Sequence, residues 1–254
     1  MEQKSKIALV TGGSRGLGKN MAQSLAKKGF DVILTYHTKK DEALAVIADI
    51  EQTGQKGYAL QLDTSDTSGF DKFLVQVQQV LKEQFDTDHF DFLINNAGTS
   101  SYSPFTEVTE EQFDEMLNIH YKGIFFLSQK SLPLINDGGR IVNISSGLAR
   151  FSTPGYSLYA SMKGAVETLT KYMAKELGAR QITVNIVAPG ATETDFAGGV
   201  VRDNQDLNNQ IASIVALGRV GKPEDIGGVV AFLCTDEAKW ITAQRIEVSG
   251  GQNL

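Results

Sequence analysis

A tyrosine and a lysine stand four residues apart in the stretch YSLYASMKGA, at Tyr159 and Lys163. On a helix, residues at this spacing lie on one face, a turn apart. The tyrosine could then transfer a proton, and the neighbouring ammonium group would stabilise the phenolate and lower its pKa from about 10. The same spacing also occurs between any two neighbours on a helix surface. The rest of the chain must therefore decide between these interpretations.

Composition restricts the class of protein. The chain has 254 residues, 41% of them hydrophobic and 21% charged, and a formal net charge of −6. These values are typical of a globular protein and predict no nucleic-acid partner. The first residues lack the pattern of a secretory signal, and the longest apolar runs reach about half of the roughly 20 residues that a membrane span requires. The single cysteine, Cys234, excludes an intrachain disulfide and a multi-cysteine zinc site. We expect a cytoplasmic protein without a metal site.

Strands and helices alternate along the sequence. Thr109 and Gln112 form the pattern of a capping box, and Pro223 fits the first turn of a late helix. The alternation implies an α/β fold of the Rossmann type, a doubly wound, seven-stranded parallel sheet with helices on both faces. We expect residues 1–254 to form a single domain that binds its ligands at the carboxyl ends of the strands. The strands are predicted in KIALV, DVILTY, GYALQLD, DFLINN, RIVNIS, ITVNIV and RIEVS.

The loop after the first strand is rich in glycine. TGGSRGLG, residues 11–18, follows IALV directly and opens the first helix. Gly12 or Gly13 permits a sharp turn, Gly16 lets the backbone approach a ligand, and Gly18 allows the helix to pack closely on the sheet. The N-terminus of a helix in this position favours a phosphate group. A glycine-rich turn can also connect a strand to a helix without binding anything.

Six segments together resemble the short-chain dehydrogenase/reductase family. They cover almost the whole chain, and although each is weak alone, their order and spacing are specific. The glycine spacing differs from the G-x-G-x-x-G dinucleotide pattern but is similar to that of this family. The resemblance implies an NAD(P)-dependent oxidoreductase that interconverts a carbonyl and an alcohol, similar to 3-oxoacyl-ACP reductases. The segments are TGGSRGLG (11–18), NNAG (95–98), NISS (143–146), YASMK (159–163), APG (188–190) and the tail from GRVGKPED to EVSGG.

The resemblance implies a catalytic set. Tyr159 matches the tyrosine that transfers the substrate proton while the nicotinamide transfers a hydride, and Lys163 matches its partner lysine. Ser146 matches the serine that hydrogen-bonds the substrate oxygen. His120 stands where the family usually has an asparagine that supports a proton relay. We expect it either to join that relay or only to pack in its helix.

The resemblance also implies the residues that contact the cofactor. Asp63 matches an acid that contacts the adenine, although it could instead serve only the turn at its strand end. The others lie in the glycine loop, at the end of the second strand, in the NNAG turn, on the catalytic helix and in the Pro-Gly loop. The set is Gly12, Ser14, Arg15, Gly16, Leu17, Gly18, Tyr36, His37, Asp63, Asn96, Ala97, Gly98, Tyr159, Lys163, Pro189, Gly190, Thr192 and Thr194.

The end of the second strand favours NADP(H) over NAD(H). Enzymes that select NAD generally present an acid there to bind the ribose hydroxyls, and an acid would repel the 2′-phosphate of NADP. Tyr36 occupies this position, with the basic residues Arg15, His37 and Lys39 nearby. Lys39 could alternatively be part of a solvated helix start.

Residues 191–216 resemble the family's substrate lid. Phe196 in that segment could cover a pocket lined by Leu148, Phe151 and Tyr156. No arginine or lysine is obviously placed for an acidic substrate, so a ketone, an aldehyde or a 3-oxoacyl thioester would fit. We expect a small-molecule carbonyl or alcohol substrate.

Other interpretations remain open on the sequence alone. Family members commonly form homotetramers or homodimers, here expected through the helix of residues 156–177 and the C-terminal tail. The principal alternative function is a non-catalytic NADP(H)-binding sensor or regulatory protein. A nucleotide-binding α/β enzyme of another type, such as a methyltransferase, could share the glycine loop but would have no use for YASMK.

Overall fold

A computed structural model describes residues 5–254 of the chain. It contains one seven-stranded sheet, as the sequence predicts, and DVILTY forms a strand with the predicted bounds. The strands are β1 (Ile7–Val10), β2 (Asp31–Tyr36), β3 (Gly57–Gln61), β4 (Phe90–Asn95), β5 (Ile135–Ile144), β6 (Thr183–Pro189) and β7 (Arg245–Val248).

The strands lie in the order β3-β2-β1-β4-β5-β6-β7, and every neighbouring pair is parallel. The predicted doubly wound fold is therefore confirmed. The helices are α1 (Gly16–Lys27), α2 (Lys40–Glu51), α3 (Phe70–Phe85), α4 (Glu110–Leu117), α5 (Gly123–Ser131), α6 (Ser157–Leu177), α7 (Val200–Asp203), α8 (Gln205–Ala212) and α9 (Pro223–Leu233).

Alternation along the strands builds a core on each face of the sheet. In β1, Ala8 and Val10 pack with α1, α2 and α9, whereas Ile7 and Leu9 pack with α3, α5 and α6. Successive side chains of a strand point to opposite faces, so an uninterrupted apolar strand supplies both cores. Helix α6, which carries Tyr159 and Lys163, is thereby fixed against the sheet by its own buried face.

Helix starts follow the predicted chemistry. The Thr109 side chain accepts a hydrogen bond from the backbone of Gln112, and the Gln112 side chain accepts one from the backbone of Thr109. This reciprocal pair satisfies two N–H groups that a helix N-terminus otherwise leaves unpaired. Pro223 occupies the first turn of α9, where its missing N–H costs nothing.

Two local features differ from the expectations. β5 begins at Ile135 rather than at RIVNIS, because Ile135 already pairs with Phe90 before the register shifts and the ladder resumes at Arg140. Between α4 and α5, residues Asn118–Lys122 form a π-helical turn. Such single turns are frequent at functional sites, and this one carries His120.

None of the helices found in residues 5–254 has both the length and the apolar character needed to cross a membrane.

Candidate active site

The loops that carry the predicted site residues meet at one edge of the sheet. The strand order reverses between β1 and β4, and the carboxyl ends of these two strands open a crevice there. Ligands of doubly wound sheets bind at this reversal point. The connections after β1, β4, β5 and β6 all leave from this edge and carry the glycine loop, the NNAG turn, Ser146 and the Pro-Gly loop.

The glycine loop leaves room for a ligand and excludes side chains. Gly12 has φ +65°, and a Cβ on it would lie 2.9 Å from the Cα of Ala97. A Cβ on Gly18 would lie 2.1 Å from the carbonyl oxygen of Gly12. The first turn of α1 contains no acidic residue, and the Arg15 side chain does not cap it. The positive end of the helix is thus available to a phosphate group, so the loop fits a dinucleotide.

We expect Gly18→Ala to lower NADPH affinity roughly tenfold and the free energy of unfolding by about 2 kcal/mol, because the new methyl group overpacks the loop. Fluorescence titration and thermal melting would measure the two effects. The matched control is Gly228→Ala in α9, where a Cβ meets nothing within 4 Å. That change should raise stability by about 0.5–1 kcal/mol. Equal behaviour of the two variants would contradict the steric argument.

Thr11 braces this loop and was not assigned a role from the sequence. Its buried hydroxyl accepts hydrogen bonds from the backbone N–H groups of Asn96 and Ala97, both at 3.0 Å. The Asn96 side chain in turn donates to the carbonyl oxygens of Thr11, at 2.9 Å, and Gly12, at 3.2 Å. The glycine loop and the NNAG turn are therefore held together by direct hydrogen bonds. The sequence signal that could have indicated this role is a polar residue that follows an apolar strand and directly precedes a glycine.

Asn95, the first residue of the NNAG turn, has a structural role. Its buried amide donates to the side chains of Asn143, at 2.8 Å, and Ser128, at 2.9 Å. Asn143 donates to Thr170 on α6 at 2.8 Å. Because these groups are buried and satisfied, they fix α6 relative to β4 and β5.

The ends of β2 and β3 carry no unpaired acid for ribose hydroxyls. Tyr36 is half-buried at the end of β2, and the next residue, His37, lies 3.6 Å from the Asp63 carboxylate through its Nε2. Asp63 accepts from both the backbone and the hydroxyl of Ser65, at 2.9 and 2.7 Å. Burial alone would raise the pKa of Asp63, but these hydrogen bonds and His37 outweigh it and lower the pKa. Asp63 thus forms a strand-end turn, and its contact with adenine stays a prediction.

Ser146, Tyr159 and Lys163 meet at the end of β5. Ser146 lies close enough to Tyr159 to lower the pKa of that residue, and the Lys163 Nζ atom lies 5.5 Å from the centroid of the tyrosine ring. Lys163 also donates to the carbonyl oxygen of Ile144 at 2.8 Å. Tyr159 and Lys163 are buried and Ser146 is half-buried. The three residues that the sequence placed in one catalytic set are therefore neighbours in space.

The expected lowering of the Tyr159 pKa is not found. Burial raises the pKa of Tyr159 well above its usual value, Ser146 opposes this, and Tyr156 adds to it. Burial also lowers the pKa of Lys163 to about 8. Burial thus disfavours both the phenolate form of Tyr159 and the ammonium form of Lys163. Tyr159 consequently holds its proton, as an acid acting on a carbonyl requires.

His120 lies inside the π-helical turn and is fully buried. Its Nε2 is 2.8 Å from the carbonyl oxygen of Thr99, and its ring meets Tyr159 edge-on with centroids 5.2 Å apart. Burial first, and then the charge of Lys163, hold its pKa well below the usual value, so the ring is neutral. If Nε2–H donates to Thr99, Nδ1 is an acceptor, and it has no partner within residues 5–254.

The loop after β6 reaches back to the glycine loop. Pro189 ends β6, and the Gly190 N–H donates to the carbonyl oxygen of Val248 at 3.0 Å. The Thr192 hydroxyl donates to the Gly190 carbonyl at 3.0 Å. Thr194 is buried, and a Cβ on Gly16 would lie 3.7 Å from its Cβ. The base of the segment 191–216 therefore borders the predicted cofactor site.

A series of ion pairs and hydrogen bonds supports the backbone of Ser146. Glu167 on α6 accepts from the Ser145 hydroxyl at 2.6 Å and from Arg245 at 2.7 Å. Arg245 also donates to the backbone carbonyl of Ser146 at 3.2 Å and to Glu247 at 2.9 Å. The backbone that presents Ser146 is thus attached to α6 and β7 through one guanidinium group.

The same series of ion pairs and hydrogen bonds continues to residues 252–253. Arg150 pairs with Glu247 at 2.7 Å and donates to the carbonyl oxygens of Gln252 and Asn253, at 2.6 and 3.1 Å. The Gln252 side-chain oxygen accepts from the backbone N–H of Ala191 at 2.9 Å. Sequence reasoning missed these residues, because their partners are far apart in the chain and none lies in a motif with an assigned role.

We expect Arg245→Gln to lower kcat about tenfold, roughly 1.4 kcal/mol, with an unchanged KM for NADPH. The loss of the guanidinium frees the Ser146 carbonyl and leaves Glu167 without its cation, so the serine is held less firmly. Steady-state kinetics would measure it, and Arg245→Lys should restore part of the rate. The matched control is Arg180→Gln. Arg180 lies near the amino ends of β5 and β6 and binds one carboxylate and two carbonyl oxygens, whereas Arg245 binds two carboxylates and one carbonyl oxygen. An equal loss in both variants would indicate a general structural effect.

Comparisons with known proteins find relatives that match almost the whole chain. The family model described as Enoyl-(Acyl carrier protein) reductase matches residues 12–253. Hydroxynaphthalene reductase-like protein Arp2 of Metarhizium brunneum is 36% identical, over 97% of this chain and 94% of its own. The 3-oxoacyl-[acyl-carrier-protein] reductase FabG of Staphylococcus aureus is 36% identical, over 98% of this chain and 99% of its own. The crystal structure of the angucycline C-6 ketoreductase LanV with bound NADP superposes with a TM-score of 0.93 at 37% identity, covering 98% of this chain and 95% of LanV.

Proposed function

Since the chain belongs to the short-chain dehydrogenase/reductase family, we propose that it reduces a ketone, an aldehyde or a 3-oxoacyl thioester to an alcohol, or catalyses the reverse reaction, with Tyr159 as general acid/base. The observation that carries the proposal is the meeting of Ser146, Tyr159 and Lys163 beside the glycine loop. The enzyme is then an NADP(H)-dependent oxidoreductase acting on a CH–OH group.

NADP(H) is the cofactor. The loop formed by Gly12 to Gly18 fits the phosphates, because its glycines exclude side chains and α1 presents its N-terminus. Tyr36 leaves no carboxylate to repel a 2′-phosphate, and the exposed Arg15 and His37 are available to bind it. LanV, whose fold is shared, binds NADP. When bound, the reduced cofactor supplies the hydride.

The residues of the site handle the proton and the developing charge. The hydroxyls of Ser146 and Tyr159 hydrogen-bond the substrate carbonyl oxygen, and Tyr159 donates its proton as negative charge develops there. The Lys163 ammonium group, 5.5 Å from the tyrosine ring, stabilises the phenolate that remains. The unpaired Nδ1 of His120 accepts a hydrogen bond from the relay that returns the proton.

The pKa of Lys163 sets the expected pH dependence. We expect kcat/KM for reduction to be flat below a pH of about 8 and to fall about tenfold per pH unit above it. The protonated fraction of Lys163 decreases as the pH rises through its pKa of about 8, and neutral lysine cannot stabilise the phenolate. Initial rates at saturating NADPH across the pH range would measure this, with NADPH affinity at each pH as the control. A rate that rises with pH through 8 would contradict the assignment.

The site accommodates several carbonyl classes. The relatives are named for substrates as different as a hydroxynaphthalene, an angucycline ketone and a 3-oxoacyl thioester. Residues 191–216 act as a substrate lid of a single domain. The contact that supports the lid is that of Phe196 with Tyr159, whose ring centroids lie 6.0 Å apart.

Activity assays test the proposed function. Loss of NADPH absorbance would be followed with ketones, aldehydes and 3-oxoacyl thioesters, and with NADH in place of NADPH. Turnover with NADPH supports the proposal. Binding of NADPH without turnover of any of these substrates would favour the non-catalytic sensor.

The enzyme assembles as a homodimer or homotetramer. A groove of about 680 Å³ lies between α5 and α6, with mainly apolar lining that includes Phe125, Leu169 and the exposed Tyr172. None of its lining residues belongs to the catalytic set. Packing of the same two helices from a second copy would form a four-helix bundle and cover the groove. Sedimentation should find dimers or tetramers that Tyr172→Glu weakens, whereas a monomer at all concentrations would contradict the assembly.

A further inference from the structure

Aromatic rings from several segments of the chain gather near Tyr159. Tyr102, from the loop after β4, packs edge-on against Tyr156 with ring centroids 5.4 Å apart. Tyr156 immediately precedes α6 and is close enough to Tyr159 to raise its pKa. Phe196, from the loop after β6, lies 6.0 Å from Tyr159 between ring centroids. Three separate segments thus bring rings to the surface beside Tyr159, and we call this cluster of Tyr102, Tyr156 and Phe196 the entrance.

The Tyr102 ring is held in place although it is exposed. It packs against Gly155, where a Cβ would lie 2.3 Å from the ring, and the backbone of Ser103 donates to the Gly155 carbonyl at 2.9 Å. Its exposed fraction is 67%, and that of Phe196 is 44%. Such exposed rings add little to the core, whereas apolar patches at a cleft are typical of ligand sites.

The arginines of the surrounding loops are paired with carboxylates. Arg150 binds Glu247, and Arg202 binds both Asp195 and Asp203. A thioester carried on phosphopantetheine or coenzyme A brings phosphate groups that favour arginine forks. These guanidinium groups are already neutralised, so the entrance favours a neutral, apolar substrate.

From this juxtaposition we infer that the site takes a planar, ring-fused aromatic ketone, whose rings lie between Tyr102 and Tyr156 on one side and Phe196 on the other. The inference rests on the proposed carbonyl reductase function and names its substrate class. Tyr102 and Phe196 are then specificity-determining residues. Aromatic pairs in offset or edge-on contact add favourable binding free energy beyond that of burying apolar surface. A leucine in place of Tyr102 or Phe196 would keep only the contribution from burial.

Substitution kinetics test the inference with three probes. α-Tetralone is a ring-fused aromatic ketone, α-decalone has the same skeleton without aromatic character, and acetoacetyl-CoA is a 3-oxoacyl thioester. Tyr102→Leu and Phe196→Leu should each lower kcat/KM for α-tetralone by about 3- to 10-fold. The values for α-decalone and acetoacetyl-CoA should change less than twofold, roughly the error of such a comparison. Comparing each variant with the wild type cancels the different intrinsic reactivities of the probes.

A binding measurement gives a second readout that does not depend on turnover. Calorimetry with α-naphthol and the NADP-saturated protein should show affinity lowered about 3- to 10-fold in both leucine variants. The matched control is Trp240→Leu, which removes an aromatic ring that is 95% exposed and precedes the amino end of β7, away from the entrance. It should leave both readouts unchanged.

The outcomes separate the inference from the proposed function. Equal losses for all three probes, or unchanged naphthol affinity in the leucine variants, would overturn the aromatic class while leaving a carbonyl reductase. Absence of turnover with every probe would count against the proposed function, and naphthol binding would still decide whether aromatic rings are recognised between Tyr102 and Phe196.

Discussion

Tyr159→Phe is expected to lower kcat for carbonyl reduction by about 10²–10⁴-fold, the usual contribution of a positioned acid. The change removes the hydroxyl alone. Phenylalanine keeps the edge-on packing against His120, at 5.2 Å between centroids, and the approach to Phe196 at 6.0 Å. NADPH affinity should fall by no more than about tenfold, the net contribution of one lost hydrogen bond. Single-turnover rates and fluorescence titration would measure the two quantities.

The matched control is Tyr172→Phe, which removes a phenolic hydroxyl from the exposed face of the same helix, α6. It should have no effect on the chemical step. A Tyr159→Phe enzyme that retained its rate would show that another group donates the proton. Loss of cofactor binding together with rate would instead indicate that the hydroxyl matters for holding the site together.

Tyr36→Asp is expected to reverse the cofactor preference, changing the ratio of kcat/KM for NADPH to that for NADH by roughly 100-fold, or about 2.7 kcal/mol. A carboxylate at the end of β2 would accept hydrogen bonds from ribose hydroxyls and repel a 2′-phosphate. Its repulsion would be greatest at low ionic strength, because salt screens exposed charges. Steady-state kinetics with both cofactors at two salt concentrations would measure the change.

The control for this substitution is Tyr58→Asp. It introduces the same charge on the neighbouring strand β3, near the amino end of that strand and away from its carboxyl end. The cofactor ratio should not change in that variant. An unchanged ratio in Tyr36→Asp would mean that the 2′-phosphate does not lie near the end of β2. The preference for NADP(H) would then have to come from Arg15 alone.

Periodicity and motifs along the chain predicted the fold well, for physical reasons that act locally. The strand DVILTY was predicted with the correct bounds because a short, continuous apolar run is a local signal of a buried strand. Short motifs likewise indicated the candidate catalytic residues, which the structure brings together. Because parallel strands bring their carboxyl ends to one edge, the order of the motifs also indicated that they would meet.

Features that depend on distant segments were not predictable in this way. The π-helical turn around His120 leaves no mark on apolar spacing. The raised pKa of Tyr159 comes from burial by several elements, which the neighbouring Lys163 does not reveal. Arg245 lies in the tail segment that helped to identify the family, yet its contact with Ser146 crosses 99 positions of the chain. Burial and long-range pairing are properties of the assembled fold.

The contacts of Arg150 extend the hydrogen-bonded frame around Ser146 to the segment after β7. The carbonyl oxygens of Gln252 and Asn253 accept from Arg150, which is linked to the backbone of Ser146 through Glu247 and Arg245. A change that displaces residues 252–253 therefore also disturbs the support of Ser146, although these residues lie outside the six motifs.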